Sequence, residues 1–272
     1  MLITPEISTL SYKKQLAKRF DRASLSYDAY ADFQKIVLER LVAMLPIDNA
    51  EVVLDLGTGT GQALAALSEQ LTPACMIALD LSPQMLAVAS KRFAELKNVH
   101  FVCADAEQLS IQDVSCDLVF SSLAIQWCLN PLELFKELYR VTKPGGYVVF
   151  STLSKGSMPE ISQAWRGLDD AEHVHQYMSP EALMGCIKES GLNLFSSLLS
   201  DIPMWFATPE DAIYSLKKVG ASLIASEGEK PMSPSKWKAF LNEYEKQRVE
   251  LGIPLSYQVS FVVVQRPFSI QE

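Results

Sequence analysis

Between residues 51 and 152 the chain alternates short, continuous apolar runs with segments whose apolar residues return at three- and four-residue spacing. That alternation predicts βαβ units and a parallel sheet, and the unbroken apolar runs predict strands buried on both faces. Strands are expected in "EVVLDLG" (51–57), "MIALDLS" (76–82), "VHFVCAD" (99–105), "CDLVFSS" (116–122) and "YVVFST" (147–152). Helices are expected in "QALAALSEQL" (62–71), "SPQMLAVASKRFAEL" (82–96) and "PLELFKELYRVT" (131–142), the last ended by "KPGG". Ser82 is the expected N-cap of the second helix, with Pro83 at its first position, where no backbone N–H is needed.

Beyond residue 153 the alternation stops. Three amphipathic segments (159–171, 208–224 and 233–251) are interspersed with two apolar stretches, "LNLFSSLLSDIPMWF" (192–206) and "YQVSFVVVQRPF" (257–268). The apolar stretches predict a strand pair completing the sheet, and the helices predict insertions near its ligand edge. Two more helices are expected before residue 50, in "YKKQLAKRFDRAS" and "AYADFQKIVLERLVAML". No repeat or low-complexity linker divides the chain. A single domain is therefore expected, with an N-terminal helical lid (1–49), a ligand-binding core (50–155) and a substrate-side region (156–272).

Composition narrows the class. With 272 residues, 49% of them hydrophobic and 21% charged, the chain has the make-up of an ordinary globular protein. No apolar run approaches the roughly 20 residues of a membrane span, and the first residues lack the basic-then-apolar order of a signal peptide. The five cysteines are scattered with no CxxC pair, so no metal site is expected, and reduced thiols point to the cytoplasm. A net charge of -8 argues against a nucleic-acid partner.

The turn after the first strand carries Gly57, Gly59 and Gly61. Ligands of open parallel sheets bind beyond the carboxyl ends of the strands, where glycine lets backbone approach with no Cβ in the way. A dinucleotide fingerprint wants its third glycine at position 62, which is Gln62, and no P-loop Gly-Lys-Ser/Thr is present. Alone, the pattern means a tight strand-to-helix turn. Three carboxylates add to it: Asp55, Asp80 and Asp105 end the first three strands on the same edge. Asp80 is placed for two ribose hydroxyls. Asp105, followed by Ala106 and Glu107, is placed for an adenine amino group. Asp55 repels a pyrophosphate but suits a positively charged group. S-adenosylmethionine, with adenine, ribose, a sulfonium and an ammonium, meets all three demands.

"VLDLGTGTG", "ALDLSPQML", "ADAEQL" and "VTKPGGYVVFST" together resemble the class I S-adenosylmethionine-dependent methyltransferases, over roughly residues 50–155. The resemblance implies an α/β, doubly wound, Rossmann-like, mostly parallel seven-stranded sheet with a reversed last strand, and helical insertions forming a lid. It implies that Asp55, Gly57, Gly59 and Gly61, with Thr58 among them, line the methionine part of the cofactor. Asp80 would bind ribose with Leu81 and Met85 near it, Asp105 and Ala106 would meet the adenine, and Ser121 would face the sulfonium.

Further segments, among them "LAKRFDRASLSYDAYADFQ", "SSLAIQWC", "GSMPEISQAWRGLD", "YSLKKVGAS" and "PLSYQV", resemble the malonyl-acyl-carrier-protein O-methyltransferases of biotin synthesis over nearly the whole chain. That family methylates the free carboxylate of a malonyl thioester, disguising it as a primer for pimeloyl synthesis. One departure stands near the N-terminus, where the family often has Phe-Gly-Arg-Ala-Ala and this chain has Phe20-Asp21-Arg22-Ala23-Ser24.

The implied chemistry agrees with what is missing. A carboxylate acceptor is already ionised at pH 7 and needs no general base, and His100, His173 and His175 sit in no catalytic motif. Arg166, Tyr27 and Trp127 are candidates for holding the acceptor carboxylate. Tyr30 and Gln34, at near-helical spacing from Tyr27, are expected to join the cofactor site from the lid. An acidic carrier protein requires a locally basic surface on an acidic enzyme. Lys13, Lys14, Lys18, Arg19 and Arg22 fall on one predicted helix, with Lys14, Lys18 and Arg22 on a shared face as docking candidates. Two other readings share parts of the pattern. A methyltransferase for another small metabolite, such as a quinone precursor, shares the cofactor core but would usually call for a base. A non-methylating nucleotide-binding protein or nicotinamide oxidoreductase is opposed by Gln62 and Asp55.

Overall fold

A computed structural model describes residues 5–169, 171–221 and 233–268. At its centre is a seven-stranded sheet of β1 (Val52–Leu56), β2 (Cys75–Asp80), β3 (Val99–Cys103), β4 (Cys116–Ser122), β5 (Thr142–Leu153), β6 (Asn193–Phe206) and β7 (Ile253–Gln265). The order is β3-β2-β1-β4-β5-β7-β6. β1 to β5 pair in parallel, and β7 runs antiparallel to both β5 and β6. The expected strand pair and the reversed last strand are both present.

Nine α-helices cover the sheet among the described residues: α1 (Pro5–Ala23), α2 (Asp32–Val42), α3 (Leu64–Leu71), α4 (Pro83–Arg92), α5 (Pro131–Val141), α6 (Pro159–Trp165), α7 (Pro180–Glu189), α8 (Pro209–Lys218) and α9 (Pro234–Glu245). None is long and apolar enough to cross a membrane. Four of them start alike. Ser82, Ser179, Thr208 and Ser233 each precede a proline, and each side chain accepts a bond from the backbone N–H three residues on. Such a cap contributes about 1 kcal/mol.

Alternate residues of the central strands feed two cores. Val53, Val149, Phe261 and Val263 pack with α2, α3, α6, α8 and α9 on one face, and Leu54, Phe150, Val262 and Val264 with α5 and α7 on the other. Burying each such side chain contributes about 1.5–3 kcal/mol, so the strand pattern itself holds the layers together.

Three expectations need correction. Helix α7 was not anticipated, although "SPEALMGCIKES" carries the Ser-Pro start, because only Leu183 and Ile187 of the helix are buried and one such pair makes a faint stripe. "KPGG" is not a turn outside the sheet. β5 begins directly after α5, with Thr142 opposite Cys116 but Tyr147 opposite Leu118, so residues 143–146 bulge within the strand. Gly145, at φ +79°, takes that kink. Finally, the expected helix 208–224 ends at Lys218, and its last residues, 222–224, lie outside the described residues.

Candidate active site

The chain runs outward from β1 to β2 and β3, then returns to β4 on the other side of β1. A crevice therefore opens beyond the carboxyl ends of β1 and β4, as it does wherever strand order reverses. A cleft lined by Leu56, Gly57, Gly59, Asp80, Asp105 and Ser122 lies there. The glycine turn forms its floor. Gly57, at φ +74°, donates its N–H to the Leu79 carbonyl at 2.8 Å, and a Cβ on it would collide with Ala124. Gly59, at φ +55°, has open space where a side chain would project, so the cleft uses its bareness. Gly61 does not line the cleft: a Cβ on it would press within 2.8 Å of Phe93, which makes it a packing residue.

The acids differ in how they are held. Asp80 accepts the N–H of Gly59 at 2.9 Å on one oxygen and that of Ser82 at 2.8 Å on the other. Burial pushes its carboxyl up, and those backbone donors pull only part of the way back. Asp55 is 3% exposed, and burial, helped by the Asp80 charge and only partly offset by the Thr58 hydroxyl, pushes it up to about 7. The Gln34 Oε1 is buried without a hydrogen-bond partner, the Thr58 hydroxyl lies against the Asp55 carboxyl, and all three residues line one small chamber beside the glycine turn. Buried acceptors short of donors are costly, and a carboxylate beside an unpaired amide oxygen calls for a ligand group that carries N–H donors and positive charge.

The N-terminal segment closes over the cleft through three anchors. Lys13 of α1 reaches in to pair with Asp105 and Glu107, and although burial works against it, the two carboxylates hold its ammonium charged. Asp21 accepts the Ser82 hydroxyl at 2.6 Å and the Gln84 N–H at 3.2 Å, which ties α1 to the start of α4. Asp28 accepts from Thr60 at 2.6 Å and Gln62 at 2.8 Å and pairs with Arg92. Burial alone would raise the Asp28 carboxyl, but these three donors hold it below the usual range. Lys14, Lys18 and Arg22 lie on the exposed side of α1, and none pairs with a carboxylate of a described residue.

The cleft gathers Tyr27, Leu81, Met85, Asp105, Ala106 and Trp127 as expected, together with Lys13 of the basic helix. Three other expectations are not met. Ser121 is fully buried and donates to the Leu56 carbonyl at 2.8 Å, and it is Ser122 that lines the cleft. Arg166 stands exposed at the end of α6, away from every cavity near the cofactor edge. Tyr30 is 40% exposed and packs edge-on against Tyr214 with the Lys218 ammonium over both rings. The spacing of 27, 30 and 34 misled because a 3-10 turn over Tyr27–Ala29 ends at Tyr30 before α2 begins. Leu123, which lines the cleft just past β4, has φ +52°. That conformation costs about 1–3 kcal/mol in a non-glycine residue and gathers at functional sites. It was invisible in the sequence.

A glycine turn, acids beyond the first strands and a seven-stranded sheet with an antiparallel β7 define a methyltransferase of the class I, Rossmann-like fold. Residues 54–150 match the methyltransferase domain family. The solved phosphoethanolamine N-methyltransferase 2 of Haemonchus contortus, in complex with S-adenosyl-L-methionine, shares the fold at TM-score 0.56 and 19% identity, over 91% of this chain and 57% of that one. A curated malonyl-[acyl-carrier protein] O-methyltransferase from Marinomonas sp. (strain MWYL1) is 77% identical over 99% of this chain and 100% of its own length. One from Herminiimonas arsenicoxydans is 34% identical over 93% of this chain and 96% of its own. The chain belongs to the malonyl-[acyl-carrier protein] O-methyltransferase family.

Proposed function

We propose that the protein transfers a methyl group from S-adenosylmethionine to the free carboxylate of malonyl-acyl carrier protein, giving the methyl ester that primes pimeloyl synthesis for biotin. The observation that carries the cofactor assignment is the convergence of the buried Asp55 carboxyl, the unpaired Gln34 Oε1 and the Thr58 hydroxyl in one chamber. An ammonium group has three N–H donors and the positive charge that Asp55 lacks beside it. Gly57 and Gly59 leave room for the methionine backbone, and Asp80 turns its remaining lone pairs to the ribose. Asp105 takes the adenine amino group in place of the Lys13 ammonium, which keeps Glu107. Leu81, Met85 and Ala106 flank the nucleoside.

The cofactor supplies a methyl group on a positively charged sulfur, which an acceptor oxygen attacks as the carbon–sulfur bond breaks onto sulfur. No proton moves, so no side chain has to act as a base. The chain's contribution is to align the two reactants and exclude water. The segment 1–49 serves as the lid, a reading that the anchors at Lys13, Asp21 and Asp28 support. Lys14, Lys18 and Arg22 form the docking face for the acidic carrier. Five free cysteines favour a cytoplasmic setting.

The test is mass spectrometry of malonyl-carrier protein incubated with enzyme and cofactor. A gain of one methyl group on the acyl chain is expected. An unmodified carrier, with turnover of a phenolic quinone precursor instead, would replace this reading.

A further inference from the structure

A second recess opens off the cofactor cleft and shares Phe20, Tyr27, Leu123 and Trp127 with it. Its walls are mostly apolar, with Phe33 and Leu153 among them, and among the described residues no lysine or arginine lines it. Its hydroxyl groups come from three separate parts of the chain: Tyr27 before α2, Tyr177 before α7 and Tyr257 on β7. Tyr257 is 5% exposed and stacks on Phe33 at 3.8 Å. Its hydroxyl makes no hydrogen bond to a described residue, and neither do those of Tyr27 and Tyr177, although Tyr244 in the same core has found the Pro254 carbonyl at 2.8 Å. Gln126 also lines the recess, but its amide already donates to the Leu123 carbonyl at 2.7 Å. Burial raises all three phenols, so they remain donors across the working pH range.

We propose that Tyr27, Tyr177 and Tyr257 hold the acceptor carboxylate as neutral donors, and that its counter-charge is the cofactor's sulfonium. This rests on the reading that a malonyl carboxylate is the acceptor. A buried carboxylate needs hydrogen-bond donors, and the three tyrosines that line the recess carry them. A guanidinium would bind the anion more tightly, since charge-assisted bonds are about twice as strong as neutral ones. It would lose that advantage as the oxygen becomes an ester, and an interaction stronger in the ground state than in the transition state slows the reaction. Phenols lose less. The apolar walls exclude water and strengthen the attraction between carboxylate and sulfonium. Both charges vanish on transfer, so that attraction drops out once the ester has formed.

The test is calorimetry of malonyl-carrier protein binding to the enzyme preloaded with either of two unreactive cofactor analogues. S-adenosylhomocysteine is neutral at sulfur, and sinefungin carries an amine in place of the methylsulfonium. Binding should be at least tenfold tighter with sinefungin. Tyr177→Phe and Tyr257→Phe should each weaken the sinefungin ternary complex threefold or more, with affinity for sinefungin itself unchanged, which also shows that the variants are folded. Equal binding with the two analogues would overturn the counter-charge, and full affinity in the double variant would overturn the donors. A wild-type enzyme that methylates malonyl-carrier protein while these binding experiments stay flat refutes this proposal alone. A wild type that transfers no methyl to the carrier refutes the functional reading beneath it.

Discussion

At the cofactor end of the cleft, carboxylates stand at or just beyond the ends of the strands that carry them, whereas the acceptor recess draws its tyrosines from the N-terminal segment, the stretch before α7 and β7. The first end is acidic and the second is neutral, though the acceptor is the anion. The difference follows from what becomes of each charge. The ammonium of the cofactor stays charged throughout the reaction, so fixed acceptors bind ground and transition states alike. The carboxylate loses its charge in the step itself, and a fixed cation beside it would oppose that loss.

Changes at Asp80 test the acidic end most severely. Asp80→Ala removes the ribose acceptor and strands the Gly59 and Ser82 N–H groups. Hydrogen bonds to a charged group are worth about 1.5–3 kcal/mol each, so calorimetry should show cofactor affinity falling by about a hundredfold. A folded variant with wild-type affinity would take Asp80 out of the site.

Asp55 sharpens the contrast through pH. Its carboxyl, pushed up to about 7 in the empty protein, must be ionised to receive an ammonium. Cofactor affinity should therefore weaken by about tenfold per unit as pH falls below 7, and Asp55→Asn should bind weakly with no such slope. The same shift bears on stability. A carboxyl whose folded pKa lies above its unfolded value favours the fold most below the unfolded pKa, near 4, and that contribution is lost as pH rises through about 7. The cofactor-free protein should melt at a lower temperature at pH 8 than at pH 5, and Asp55→Asn should reduce the difference. A pH-independent cofactor affinity would break the assignment of Asp55 to the ammonium.

The outer face of α1 is the next largest case. Reversing Lys14, Lys18 and Arg22 to Glu should raise KM for malonyl-carrier protein severalfold, and less so at high salt, because a Debye length of about 8 Å at physiological ionic strength already screens exposed charges. KM for malonyl-coenzyme A, if it is turned over, should hardly change. Equal losses on both substrates would place the docking surface elsewhere. The smallest effect is expected at Asp21→Gly, which unties α1 from Ser82 and Gln84. Cofactor release should quicken by about twofold to fivefold in stopped flow, with faster hydrogen exchange along α1. No change in either would mean that Lys13 and Asp28 alone hold the lid.

Where the sequence was readable, the reason was local. Ser82 followed by Pro83 predicts a helix start, and a Ser cap with Pro83 at its first position is what forms. The same Ser-Pro signal at 179–180 went unread because α7 buries so little. Gly57, Gly59 and Gly61 are legible together from their alternate spacing after the first strand, but only the surroundings separate the two that face the cleft from the one that packs on Phe93. The three-residue spacing from Tyr27 to Tyr30 does not reveal that a 3-10 turn ends there, which is why Tyr30 falls outside the cleft.

The sequence by itself determined the strand and helix order of the core, the turn that faces the ligand and the acids beside it. Each of those depends on residues within a few positions of one another, through periodicity, capping and backbone freedom. Only the tertiary structure decided which side of α1 turns inward, so that Lys13 meets Asp105 while Lys14 meets solvent. Only it brings Gln34, Asp55 and Thr58 into one chamber, and Tyr27, Tyr177 and Tyr257 onto one recess. Such meetings depend on how helices seat on a sheet, which is set by the summed burial of many side chains and is written at no single position.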